Sequence, residues 1–206
     1  MYINANMRQI TEHHTAKLRR LSFLLSGLLL PLTTLSADWP QFMGPNGDGT
    51  SPEKGLLRAW PAEGPKVLWT VPVGSGYGGA AIRDGKVYIL DRVGKAQDKL
   101  RCLDLATGKE EWAFAYDAPG PIKHEGSRST PAVTDKHIFI LGPFGHFHCL
   151  DKASHQVLWK MNILTDFSVK LPNWSVAQSP LVYQELVVIA PQSDSVGLVA
   201  LDQAEA

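Results

Sequence analysis

The feature that most constrains this chain is an eleven-residue stretch that occurs twice and starts a third time. Cys102-Leu-Asp-Leu-Ala-Thr-Gly-Lys-Glu-Glu-Trp112 returns as Cys149-Leu-Asp-Lys-Ala-Ser-His-Gln-Val-Leu-Trp159, and Ala200-Leu-Asp-Gln-Ala-Glu-Ala206 repeats its opening. Asp104, Asp151 and Asp202 lie 47 and then 51 residues apart, Trp112 and Trp159 lie 47 apart, and Trp69 precedes Trp112 by 43. Repeats of roughly 40–50 residues that carry several short strands each are the signature of β-propeller blades. The predicted fold class is therefore all-β: a propeller of four-stranded antiparallel blades, about two complete and the others partial.

Each copy reads as the hairpin between the last two strands of a blade. Asp104 ends a strand and can accept hydrogen bonds from backbone N–H groups of the turn that follows. Gly108 supplies the positive φ that a tight hairpin needs. The last strand then delivers a Trp at a fixed offset, suited to fill the seam between one blade and the next. In the second copy His155 stands where Gly108 does. Positive φ costs His more than Gly, so the second hairpin is expected to be the less regular.

Taken in order, residues 66–73 around Trp69 predict a lone outer strand. Blade 1 is expected to have strands near 79–82, 86–91, 99–104 and 110–116. Blade 2 is expected to have them near 130–133, 137–142, 147–151 and 157–163, and a third blade near 179–182, 186–190 and 198–202. Two blades and pieces do not close a ring, since propellers use roughly 4–8 blades. The expectation is a chain that carries about half or less of its parent propeller; the competing reading is a short chain that closes by oligomerising.

Residues 1–37 read differently. Lys17, Arg19 and Arg20 precede an apolar run at 21–32, and Thr33-Thr-Leu-Ser-Ala37 follows. That order describes a secretory signal peptide cut near Ala37, which implies an exported protein, periplasmic or extracellular. The apolar run is shorter than the roughly 20 residues a membrane span needs, so no span is expected after cleavage. Residues 38–65 read as a leader and 66–206 as the partial propeller. The formal net charge is zero, which leaves no electrostatic footprint for nucleic acid.

The pattern Leu-Asp-x-x-Thr-Gly-x-x-x-Trp at this period resembles the tryptophan-docking repeat of the pyrroloquinoline-quinone (PQQ) family of propellers. That family includes quinoprotein alcohol dehydrogenases and an outer-membrane assembly lipoprotein, BamB. Ser129-Thr-Pro-Ala-Val133 and Ser179-Pro-Leu-Val182 are similar to the family's opening inner strand, and Asp84-Gly-Lys-Val-Tyr-Ile-Leu90 to its second. Asp38-Trp-Pro-Gln-Phe-Met-Gly-Pro-Asn-Gly-Asp-Gly49 resembles the leader of secreted, BamB-like members with no assigned activity. The resemblance covers residues 38 to 206. It implies either a non-catalytic binding propeller or a dehydrogenase with PQQ held by calcium over the channel. The vicinal Cys pair of many PQQ alcohol dehydrogenases and a haem Cys-x-x-Cys-His are missing from this stretch, which favours the first.

Candidate binding residues lie on the loops that lead into each inner strand, because these gather at one end of a propeller's channel. The loops are 74–79, 117–128 and 165–178, and they offer Tyr77, His124, Glu125, Arg128, Asn173 and Trp174. Trp174 can stack on a flat ligand, Glu125 and Asn173 can offer oxygens to calcium, and His124 can act as a base. The expected ligand is a protein or a small molecule. His146 and His148 share one face of a strand, as a metal-binding pair would, but no third ligand stands at a telling distance, and no metal is expected. Asn46-Gly-Asp-Gly49 reads as a surface turn rather than a calcium loop. Cys102 and Cys149 hold equivalent places in consecutive blades, too far apart for a disulfide, and are expected to be free and packed.

Overall fold

The computed structural model describes residues 38–205; the expected signal peptide lies outside the described residues. Three antiparallel sheets follow one another. Blade 1 contains β1 (Ala81–Arg83), β2 (Lys86–Val93), β3 (Gln97–Asp104) and β4 (Glu110–Asp117), in that spatial order. Blade 2 contains β5 (Ala132–Val133), β6 (His137–Leu141), β7 (His146–Asp151) and β8 (Val157–Asn162), again in order, followed by the single helical turn α1 (Ile163–Asp166). Blade 3 has three strands, β9 (Leu181–Tyr183), β10 (Leu186–Ile189) and β11 (Val199–Asp202). These are the blades of a partial propeller.

The repeated stretch forms the β3–β4 and β7–β8 hairpins. Asp104 Oδ1 accepts from Thr107 N at 3.0 Å and from its hydroxyl at 2.7 Å. Asp151 Oδ1 does the same for Ser154, at 2.6 and 2.8 Å. Gly108 and His155 both have positive φ, 71° and 61°. The second hairpin is not the less regular. Gly108 N and His155 N donate to Asp104 O and Asp151 O at 2.8 and 2.9 Å, and both hairpins shift register at the same place, between Cys and Leu. His155 tolerates its φ because Trp112 stacks on its ring, centroids 4.1 Å apart.

Neighbouring blades are joined by three kinds of contact. At the seams, strands of blade 2 are apolar on both faces: Ile138 and Ile140 pack with Leu90, Leu100 and Cys102 of blade 1, while Phe139 and Leu141 pack with Val187 and Ile189 of blade 3. Each such fully buried side chain contributes roughly 1.5–3 kcal/mol. At the rim, Trp159 Nε1 of blade 2 donates to Gln203 O at 3.0 Å, and Trp69 Nε1, from the segment ahead of blade 1, donates in the same way to Leu105 O at 2.9 Å. These two carbonyls hold equivalent places, one residue after Asp104 and Asp202. At the inner edge, Gly79 N donates to Thr130 Oγ1 at 3.0 Å, and Thr130 N to Ser179 Oγ at 2.9 Å.

The leader ties the inner strands together at the hairpin end. Trp39 and Ile82 exchange two backbone hydrogen bonds at 2.8 Å, Val133 N donates to Pro40 O at 2.8 Å, and Val182 N donates to Gln41 Oε1 at 2.9 Å. Successive leader residues therefore reach three successive blades. Asp48 Oδ1 is engaged by Thr50, so 46–49 is an exposed turn.

Several boundaries differ from expectation. Residues 66–73 join no sheet among the described residues; Trp69 docks by its side chain while Val67 and Leu68 face solvent. β2 runs two residues past Asp91 because Arg92 finds a buried partner. Ile163 starts α1 rather than ending β8, because Asn162 Oδ1 caps the turn through Leu164 N at 2.9 Å. Cys102 and Cys149 are free and buried, one in each seam.

Candidate functional site

The loops that lead into the inner strands meet at the end of the blades opposite the leader. Residues 74–79 are wedged backbone to backbone between blade 1 and the segment leading into blade 2. Ser75 bridges Arg92, Gly76 bridges Ser127, and Tyr77 N donates to Ser127 O at 2.6 Å. A Cβ on Gly126 would lie 2.6 Å from Gly76 N, so glycine is required there by the approach itself. The wedge turns Tyr77 outward, 67% exposed.

Arg128 folds back over its own loop. Its Nη1 donates to Gly126 O at 2.9 Å and Nη2 to His124 O at 2.7 Å, which holds the guanidinium 5.4 Å from the Tyr77 ring. Next to it the His124 imidazole lies flat on Trp174, centroids 4.8 Å apart and planes within 5°. Lys123 Nζ stands 5.3 Å from the same indole. Trp174 itself is set by a turn, Ser175 N donating to Pro172 O at 2.8 Å, after which Val176 is buried between blades 2 and 3. The structure thus brings Tyr77, Arg128, His124 and Trp174 into one row of rings and cations, exposed except at the half-buried Arg128.

Glu125 is placed differently. Its carboxylate faces Lys95 Nζ at 3.5 Å. Asn173 is exposed and joins none of these contacts. Among the described residues no three His, Cys, Asp or Glu side chains converge so as to hold a metal ion. Glu125 is the one carboxylate among the six candidates and is already paired to a cation. These six residues by themselves offer one carboxylate and one amide and do not make a calcium site, and no chemical step is derived through a quinone. His124, offered as a base, is engaged as a stacking partner.

A cavity of about 570 Å³ lies at the other end, between the leader and blades 2 and 3. Arg83 and Lys136 there face Asp135, Glu185 and Asp202, so cations and carboxylates are mixed along its wall with one carboxylate in excess. The cavity depends on where Pro40, Gln41 and Pro45 of the leader cross the blades, which no local pattern reveals.

The family profile described as outer membrane protein assembly factor BamB matches residues 96–206, just over half of the chain. The chain belongs to this family of PQQ-like propellers. No curated protein sequence matches it significantly. Among solved structures, BamB from Moraxella catarrhalis aligns at 17% identity and TM-score 0.43, over 66% of this chain and 36% of that one. A europium-containing methanol dehydrogenase aligns at 16% and 0.45, over 68% and 25%. The quinohemoprotein alcohol dehydrogenase of Comamonas testosteroni aligns at 16% and 0.42, over 64% and 20%. The chain therefore spans little more than a third, or less, of these proteins. Among the described residues no helix is long and apolar enough to cross a membrane.

Proposed function

We propose that this BamB-family chain is an exported, non-catalytic binding or scaffold module that receives a protein or small-molecule ligand on its loop end. The observation that carries the reading is the largely exposed row formed by Tyr77, Arg128, His124 and Trp174 with Lys123. Trp, Tyr and Arg are the residue types that dominate binding hot spots, since each offers a large rigid surface with a polar handle. Here intramolecular hydrogen bonds hold Arg128 in place before any ligand arrives, which lowers the ordering cost of binding. Export rests on the basic and apolar order of residues 1–37 and places the module in the periplasm or outside the cell.

The test is a calorimetric titration of the exported protein with PQQ, with and without calcium. The reading predicts no saturable heat in either case. Saturable, calcium-dependent binding followed by dye reduction with an alcohol would replace it with a quinoprotein dehydrogenase.

A further inference from the structure

The two seams between blades are built differently. Between blades 2 and 3, Phe139, Phe147 and Trp159 interlock with centroids 5.2 to 6.4 Å apart among aliphatic neighbours. Between blades 1 and 2, part of the seam is polar. Arg92 and Asp98, 1% and 0% exposed, pair at 2.9 Å inside blade 1. Beside them Tyr116 of β4 meets His146 and His148 of β7, with centroids 5.5 and 4.4 Å away, and Phe114 meets His148 at 5.5 Å.

Two buried imidazole nitrogens here, His146 Nδ1 and His148 Nδ1, have no hydrogen-bond partner, and beside them Asp98 Oδ2 and the Tyr116 hydroxyl have only each other. Gly142 faces them; a Cβ there would lie 2.7 Å from Asp98 Oδ2 and would collide with the Tyr116 hydroxyl. Native interiors rarely leave such atoms unpaired, and a group of them marks a place with a role other than packing. On either side of His148 lie clefts of about 450 and 550 Å³, both lined by Tyr116, His148 and Lys160.

We infer that this cluster is an acid-sensitive latch: an uncharged His148 keeps blades 1 and 2 closed, and its protonation opens the seam. The groups that face His148 are His146 on its own strand, Lys160 opposite it on β8 and Tyr116 on β4, while Asp98 on β3 and Arg92 on β2 act on His146. Asp117 and Asp166 line the larger cleft. Burial first, then His146 and Lys160, lower His148 from its ordinary 6.5 to about 4. Burial lowers His146 as well. A group that is harder to protonate in the closed seam favours closure above 6.5, and that advantage is lost as the pH falls from 6.5 towards 4. Asp98 acts in the opposite sense, since burial raises its carboxyl against the pull of Arg92, but its partner is in its own blade.

The two native thiols report on the two seams separately, Cys102 between blades 1 and 2 and Cys149 between blades 2 and 3. Each can be followed by mass spectrometry with a dithiodipyridine reagent, which labels thiols in acid. The labelling of Cys102 relative to Cys149 should rise by on the order of 10- to 100-fold between about pH 7.5 and about pH 4.5. His148→Phe should abolish that rise, and His148→Asn, which is neutral and polar, should do so if the Phe variant does not fold. Three outcomes overturn the latch: no rise, an equal rise at both thiols, or a rise that survives loss of the imidazole.

Discussion

The two ends of the blades answer the same problem in opposite ways. At the hairpin end, polar side chains tie turns and blades together within the chain. Asp104 and Asp151 hold their turns, Lys152 pairs with Asp84 and Arg83 with Asp135 across the blade 1–2 boundary, and the leader bonds to three inner strands. At the loop end the backbone is just as closely wedged, but the side chains it carries point outward. Tyr77 and Trp174 are more than half exposed, with cations rather than apolar groups set over them. One end is organised for holding blades together. The other is organised for meeting something else, and function is read from that difference.

Substitutions should separate the two ends. The largest effect is expected from Gly108→Ala, which adds a Cβ 2.6 Å from the Trp69 ring at a φ of 71°. It should cost about 2 to 3 kcal/mol in urea unfolding, through overpacking and backbone strain together. Trp39→Ala, which empties a half-buried site under the leader turn, should cost about 2 kcal/mol by the same measurement.

Acid should act next, and in two windows. The Asp104 and Asp151 carboxyls are held below their ordinary 3.8 mainly by Thr107 and Ser154, so their contribution is present above 3.8 and is lost as the pH falls through the lower folded values. The contribution of His148 is lost earlier, between 6.5 and about 4. Asp151→Asn should flatten the thermal midpoint against pH in the lower window and leave the upper one unchanged.

His155→Gly should change stability by less than about 1 kcal/mol, because relief of the positive φ and loss of the Trp112 stack oppose each other. The smallest stability effect is expected from Trp174→Ala, within about 0.5 kcal/mol, as for an exposed side chain. If it cost as much as Trp39→Ala, the loop-end row would be a packing feature and the comparison would fail.

Much of the fold was legible because the repeat carries its own geometry. An Asp that closes a turn, a positive-φ residue four places on and a Trp at a fixed offset give hairpin, handedness and docking partner from local chemistry. What was not legible depends on partners far along the chain. Arg92 lies just past the expected strand at 86–91, and only the fold reveals Asp98 opposite it. The leader read as turns, although Gln41 reaches Val182 across 141 residues. At the loop end the six residues followed from where propeller loops gather. Their grouping did not, because it depends on Arg128 folding back to the His124 carbonyl and on the stack of His124 with Trp174.

The most direct test of a binding loop end is site-specific photo-cross-linking in cells that export the chain. A benzophenone amino acid would replace Asn173 at the loop end or, as a control, Lys136 at the hairpin end. The account predicts a discrete adduct from position 173, weakened by Arg128→Ala, and none from position 136. Adducts from 136 with none from 173 would contradict it and would move the binding surface to the leader face.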